Sequence, residues 1–162
     1  MNTAISRKQF LRGNFRGKRD VIRPPWALSE NHFTDVCSRC GDCLKVCPEH
    51  ILTQEATGFP LVDFSKGECS FCEACVSICK TGALVKTDAV AKPWTIVAHI
   101  KPDCLAKKGV ECRVCGENCE TQAIRFHYVL RAAAQAEIKE SSCTGCGACV
   151  SVCPVGAINI SN

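Results

Sequence analysis

The sequence predicts an α+β fold in which short helices and small antiparallel hairpins are arranged as two tandem units behind a basic N-terminal arm. Three observations predict it. All 16 cysteines of the 162-residue chain fall into four groups of four. Short apolar segments rich in β-forming residues separate those groups. The first 25 residues hold seven basic side chains against one acidic one, a net +6, whereas the other 137 residues carry −2.

The arm spans residues 1–30. Its charge comes from Arg7, Lys8, Arg12, Arg16, Lys18, Arg19 and Arg23, set against Asp20. A basic tail on a mildly acidic body is the composition of an interaction segment. No nucleic-acid-binding module accompanies it, so no nucleic-acid partner is expected. The arm closes with Ile22-Arg23-Pro24-Pro25-Trp26, where two prolines impose an extended path. Trp26 is its natural anchor, on the body or on a partner. Ser6-Arg7-Lys8-Gln9-Phe10-Leu11-Arg12 looks like a twin-arginine export signal with lysine at the second arginine. The stretch from Gly13 to Ile22 holds Arg16, Lys18, Arg19 and Asp20 where such a signal needs an apolar run. A cytoplasmic location is therefore expected. No stretch of eighteen apolar residues occurs, so no transmembrane helix is expected.

The cysteine groups follow. Cys37/Cys40/Cys43/Cys47, Cys69/Cys72/Cys75/Cys79 and Cys143/Cys146/Cys149/Cys153 each read C-x2-C-x2-C-x3-C. This is the bacterial ferredoxin run for a [4Fe–4S] cluster. Three thiolates on one curled loop reach three irons of a cubane. The fourth, placed by sequence at the start of a helix, serves the neighbouring cluster in two-cluster ferredoxins. Gly41, Gly116, Gly145 and Gly147 lie inside the runs, where a curled backbone calls for positive φ. The remaining group, Cys104/Cys112/Cys115/Cys119, keeps the C-x2-C-x3-C half but has seven residues in its first gap. Three or four clusters per chain are expected, according to whether this group holds a full one. Disulfides fit poorly, since the thiols are too local for a cross-linking framework. Zinc fits poorly too, because a tetrahedral site uses two C-x2-C pairs and leaves the extra cysteine idle. All sixteen cysteines are thus candidate cluster ligands.

After each group an apolar strand start is expected, at Ile51-Leu52, Ala83-Leu84, Ala123-Ile124 and Ala157-Ile158. Further strand candidates are Pro60–Phe64, Thr95–Ile100, Ile124–Leu130 and Ala136–Lys139. Chain order pairs the first group with the second and the third with the fourth. Residues 31–90 then form one unit and residues 91–162 the other. Crossed ligation would join Cys37, Cys40, Cys43 with Cys79, and Cys69, Cys72, Cys75 with Cys47. The second unit would join Cys104, Cys112, Cys115 with Cys153, and Cys143, Cys146, Cys149 with Cys119. Excluding cysteine, apolar content is thin for two domains, so clusters must substitute for part of the core.

No dinucleotide fingerprint and no phosphate-binding loop motif occurs, so an enzyme with its own substrate site is not expected. His32, His50, His99 and His127 have no Cys/His zinc spacing. They read as surface or strand residues, with His50 close enough to Cys47 to tune a cluster. Phe71, inside the second run, reads as packing or cluster shielding.

The arm beginning Ser6-Arg7-Lys8, the RPPW segment at 23–26, three regular runs and the stretched third run together resemble the NapF family. These are ferredoxin-type accessory proteins of the periplasmic nitrate reductase system. The resemblance covers essentially the whole chain and implies that all sixteen cysteines are cluster ligands. It also implies a cytoplasmic protein that meets the catalytic nitrate reductase precursor and assists its maturation before export. Lys80 and Glu120 depart from the proline that follows the last cysteine in the other two groups (Pro48, Pro154). The alternative function is a polyferredoxin that carries electrons between a quinol-side donor and a reductase, with other redox proteins as partners.

Overall fold

The computed structural model describes residues 21–88, 92–128, 130 and 133–161. The part of the arm before residue 21, with Ser6-Arg7-Lys8, lies outside them. The fold is α+β, made of short helices and small antiparallel hairpins, as the sequence predicts. In chain order the elements are α1 (Glu30–Val36), α2 (Asp42–Lys45), β1 (Leu52–Gln54), β2 (Pro60–Val62), α3 (Ala74–Ser77), β3 (Val97–Ile100), α4 (Val114–Glu117), β4 (Ile124–His127), β5 (Gln135–Ile138), a 3-10 turn (Glu140–Ser142), α5 (Ala148–Ser151) and β6 (Ile158–Ser161).

Two hairpins occupy equivalent places. β1 pairs with β2, Leu52 opposite Val62, between the first and second cysteine groups. β4 pairs with β5, Ile124 opposite Ile138, between the third and fourth. A second kind of pairing closes each half. β3, ahead of the third group, pairs with β6, beyond the fourth, with Ile100 opposite Ile158. The first half repeats this in miniature: Ala27 bridges Leu84, with Leu28 N–H donating to Ala83 O at 3.1 Å and Val85 N–H to Trp26 O at 2.9 Å. The described strands are shorter than the sequence candidates, ending at Val62 and His127 rather than Phe64 and Leu130. A strand this short cannot bury enough to stand alone, so its fixed neighbours decide its length.

The described end of the arm is part of this closure. Arg23 carries it, with Nε and Nη2 donating to the Glu30 carboxylate at 2.9 and 2.7 Å and Nη1 to Pro60 O at 3.0 Å. Its guanidinium also pairs with Glu55 at 2.9 Å and lies 5.2 and 5.4 Å from the ring centres of Phe33 and Phe59. Phe33, on the inner face of α1, is fully buried. Burying that ring is worth roughly 2–3 kcal/mol. Trp26 anchors on the protein's own body, only 8% exposed, with its backbone N–H donating to Pro93 O at 2.9 Å and the Lys86 ammonium 5.3 Å from its ring centre. The sequence boundary at residue 30 thus falls at the first residue of α1, within folded chain. Two prolines and a buried cation had already committed residues 22–28 to the body.

Candidate iron–sulfur sites

The loops of the three regular groups share one backbone shape. The residue before the second cysteine is left-handed in each: Arg39 (φ 61°), Phe71 (φ 53°) and Gly145 (φ 73°). So is the residue after it: Gly41 (φ 76°), Glu73 (φ 61°) and Gly147 (φ 89°). For a residue with a Cβ this conformation costs about 1–2 kcal/mol. Arg39, Phe71 and Glu73 adopt it where glycine would have been free, so the loop shape is imposed rather than chosen by composition. Alternating left-handed residues turn successive N–H groups inward, forming the concave nests that receive iron–sulfur clusters and other anionic groups.

The helix that follows starts earlier than the sequence reading places it. α2, α3, α4 and α5 each contain the third cysteine of a group and end before the fourth. A left-handed residue lies three positions beyond the fourth cysteine in each group: His50 (φ 52°), Gly82 (φ 70°), Gln122 (φ 50°) and Gly156 (φ 58°). The next residue, Ile51, Ala83, Ala123 or Ala157, is fully buried in every group. In the third and fourth groups its N–H donates to the fourth sulfur, at 3.3 Å from Ala123 to Cys119 Sγ and 3.2 Å from Ala157 to Cys153 Sγ. Such N–H···S bonds stabilise negative charge on a thiolate and on a cluster it holds. Thr81 and Thr121 add hydroxyls 3.7 Å from Cys79 and Cys119 Sγ. These threonines belong to the two groups that lack the proline, a pairing visible in the sequence that the sequence reading did not use. His50 is exposed, and what it contributes is its left-handed backbone.

The third cysteine of every group is shifted one way and Cys79 the other. Burial pushes the Cys43 and Cys115 thiols up to about 11 and those of Cys75 and Cys149 up to about 12, with neighbouring thiolates adding to the effect. Cys69 is raised to about 11 in the same way. Cys79 moves down: burial works against ionisation, but N–H groups of Leu84, Ala83 and Thr81 and the Thr81 hydroxyl outweigh it. Clustered thiols held protonated by burial and mutual repulsion need a cationic partner before they ionise. Iron supplies that charge, so the donor set fits an iron–sulfur group.

The neighbours that act on each buried thiol cross between groups. Cys43 is raised by Cys37, Cys40 and Cys79, Cys69 by Cys47, Cys72 and Cys146, and Cys75 by Cys69, Cys43 and Cys72. Cys115 is raised by Cys104, Cys112 and Cys153, and Cys149 by Cys146, Cys143, Cys115 and Cys119. Helix packing agrees, since α2 lies against α3 and α4 against α5. Cys47, Cys69, Cys72 and Cys75 also line one small cavity, with Pro25, Ile51 and Phe71 in its wall. Among the described residues no three His, Cys, Asp or Glu side chains converge on a point that a single metal ion would fill. A cubane instead spreads its thiolates over four irons.

The stretched group differs locally. Its N-cap, Arg113, has φ −131° instead of the left-handed value. Gly116 stands where the other groups carry Leu44, Val76 and Val150, and a Cβ there would fall 2.4 Å from the Phe126 ring. Phe126 therefore fills the space left by the missing side chain, and Arg113 covers it at 5.7 Å from its ring centre. The long gap is pinned to the body by Gln135 Nε2 donating to Ala106 O at 2.8 Å and Lys107 Nζ to Ile100 O at 2.8 Å.

Comparison with known proteins agrees with this geometry. The family described as 4Fe-4S dicluster domain matches residues 36–83 and 108–157. The chain is 39% identical over 158 residues to the ferredoxin-type protein NapF of Escherichia coli, covering 98% of this chain and 95% of that one. It is 41% identical over 168 residues to NapF of Haemophilus influenzae, covering 98% and 94%. The chain belongs to the NapF family. It is also similar to another ferredoxin-type protein, NapG of Escherichia coli, at 30% identity over 151 residues and 65% of that protein's length. Membership of the NapF family makes it a ferredoxin-type iron–sulfur protein. No helix among its described residues is long and apolar enough to cross a membrane.

The histidines sit apart from the thiols' work. His32 Nδ1 lies 3.3 Å from Ser29 Oγ at the start of α1, and His127 pairs with Glu137 across the β4–β5 hairpin at 2.7 Å. His99 is on β3. Phe71 packs edge-on against Trp94 at 5.9 Å between ring centres while walling the Cys47/Cys69 cavity, the packing role expected of it.

Proposed function

We propose that the chain is a cytoplasmic NapF-type accessory protein. Its two tandem units each hold a pair of [4Fe–4S] clusters by crossed ligation, four clusters in all. The sets are Cys37/Cys40/Cys43/Cys79, Cys69/Cys72/Cys75/Cys47, Cys104/Cys112/Cys115/Cys153 and Cys143/Cys146/Cys149/Cys119. The observation that carries the ligation is the single cavity shared by Cys47 with Cys69, Cys72 and Cys75. The bound group supplies one-electron redox chemistry or is itself delivered to a client. The chain's residues hold the four corners, screen them with Ile51, Phe71 and the buried alanines, and direct N–H groups at the sulfurs. The client is the catalytic nitrate reductase precursor, met before export, and the role is its maturation; family likeness supports this reading. The basic residues before position 21 are the docking element for that client. The chain has no substrate site of its own in this reading.

A polyferredoxin carrying electrons between a quinol-side donor and a reductase is the second reading. The backbone hydrogen bond from Cys69 N–H to Cys146 O, 2.8 Å, joins the second and fourth cysteine loops and favours it, because a carrier needs its sites connected. The test that separates them is co-purification. A tagged chain expressed at native level should bring down the unexported reductase precursor. Recovery of the mature, exported reductase and no precursor would refute the maturation role.

A further inference from the structure

The two halves meet through their cysteine loops. Cys69 N–H, at the head of the second group, donates to the carbonyl of Cys146 in the fourth at 2.8 Å. Gly147 makes the approach possible, since a Cβ there would fall 2.0 Å from the Phe64 ring. At Gly145 a Cβ would fall 2.7 Å from Ile96 O. Trp94 closes the seam: it stands edge-on to Phe64 at 5.8 Å and to Phe71 at 5.9 Å, and its Nε1–H donates to Arg23 O at 3.0 Å. Two glycines that no side chain can replace, and one tryptophan touching both aromatic neighbours, make this a fitted contact.

We propose that this seam makes the second- and fourth-group sites neighbours, so that the four cysteine sites form a single row in the order first, second, fourth, third, rather than two separate pairs. Within each half, α2 against α3 and α4 against α5 supply the outer links. The Cys69–Cys146 bond supplies the middle one. An electron then exchanges along the row between adjacent sites. One site is oxidised by one electron as its neighbour is reduced by one, with no bond or proton changed. This rests on the four-cluster reading above. In that row the second and fourth sites are the crossing point, and every electron passing between halves uses them.

The test is electron paramagnetic resonance of the full chain reduced with dithionite. The Cys37→Ala/Cys112→Ala double variant removes one ligand from each end site and leaves both seam sites intact. The row predicts that the two remaining reduced clusters still interact, giving a broadened signal with features outside two simple rhombic spectra. Two superimposed, non-interacting spectra would overturn it. If the double variant loses all its iron, amide exchange in the unaltered holoprotein decides instead. The Cys69 amide should exchange about 100-fold slower than in an unstructured chain, and exchange at the unstructured rate would overturn the seam. Absence of iron and labile sulfide from the unaltered protein would instead remove the four-cluster reading itself.

Discussion

Cys47 and Cys69 face one cavity although 22 residues separate them in sequence. The chain between them is the β1–β2 hairpin, which turns the strand leaving Cys47 back toward the second loop. Replacing Cys47 by Ala should therefore injure the cluster of Cys69, Cys72 and Cys75, while the cluster of Cys37, Cys40 and Cys43 keeps its signal. Spectroscopy resolving the two signals checks this, and selective loss at the Cys37 loop would disprove crossed ligation in this unit.

Arg23→Ala should destabilise the first half. The substitution strips a nearly buried cation from Glu30, Glu55 and the Phe33 and Phe59 rings. The loss should be about 1–2 kcal/mol, from the half-buried Glu55 pair and the ring contacts, since Glu30 is largely solvated. Denaturant unfolding of holoprotein should shift to lower concentration, with cluster content at the start unchanged.

Gly116→Val should weaken the stretched third group, since its side chain would meet the Phe126 ring. Forcing an extra branched side chain into filled space costs about 1–3 kcal/mol. Adding Phe126→Ala should restore part of the iron lost, by reopening the place that valine or leucine occupies in the other groups. No recovery in the double variant would mean that the glycine serves the loop backbone and not the ring.

Chelation of iron under anaerobic conditions should unfold the chain around the affected sites. Apart from its 16 cysteines the chain has little apolar content for a core, so the cluster bonds hold together loops that pack poorly alone. Circular dichroism should lose its structured signal as iron leaves. A chelated protein with an unchanged spectrum would show that the apolar core alone sustains the fold.

Deleting residues 2–20 should leave iron content intact, since no cysteine precedes Cys37 and Arg23 is retained. Affinity for the reductase precursor should fall, and the difference from full length should be largest at low salt, where charge is least screened. Equal affinities at two salt concentrations would take the basic segment out of docking and favour the carrier reading.

The cysteine spacing made the loops legible, and with them the strand that follows the first, third and fourth groups. The left-handed pairs were half legible. Glycine announces them in the fourth group, but Arg39, Phe71 and Glu73 hide them in the first and second. The helix positions were misread, since each helix begins one residue ahead of the third cysteine, and the residue that opens it is glycine in only two groups of four. The inclusion of residues 22–28 in the body was not legible from charge. Arg23 counts as one more basic residue until Glu30, Glu55 and two rings are seen around it. The seam at Cys69 and Cys146 depends on Trp94, whose role no local pattern encodes.

Iron and acid-labile sulfide analysis of anaerobically purified protein tests the central claim most directly. Four [4Fe–4S] clusters require about sixteen irons and sixteen sulfides per chain, with the stretched group contributing its share. About twelve of each would mean that Cys104, Cys112, Cys115 and Cys153 hold no full cluster. Zinc as the main metal, with no labile sulfide, would contradict the account altogether.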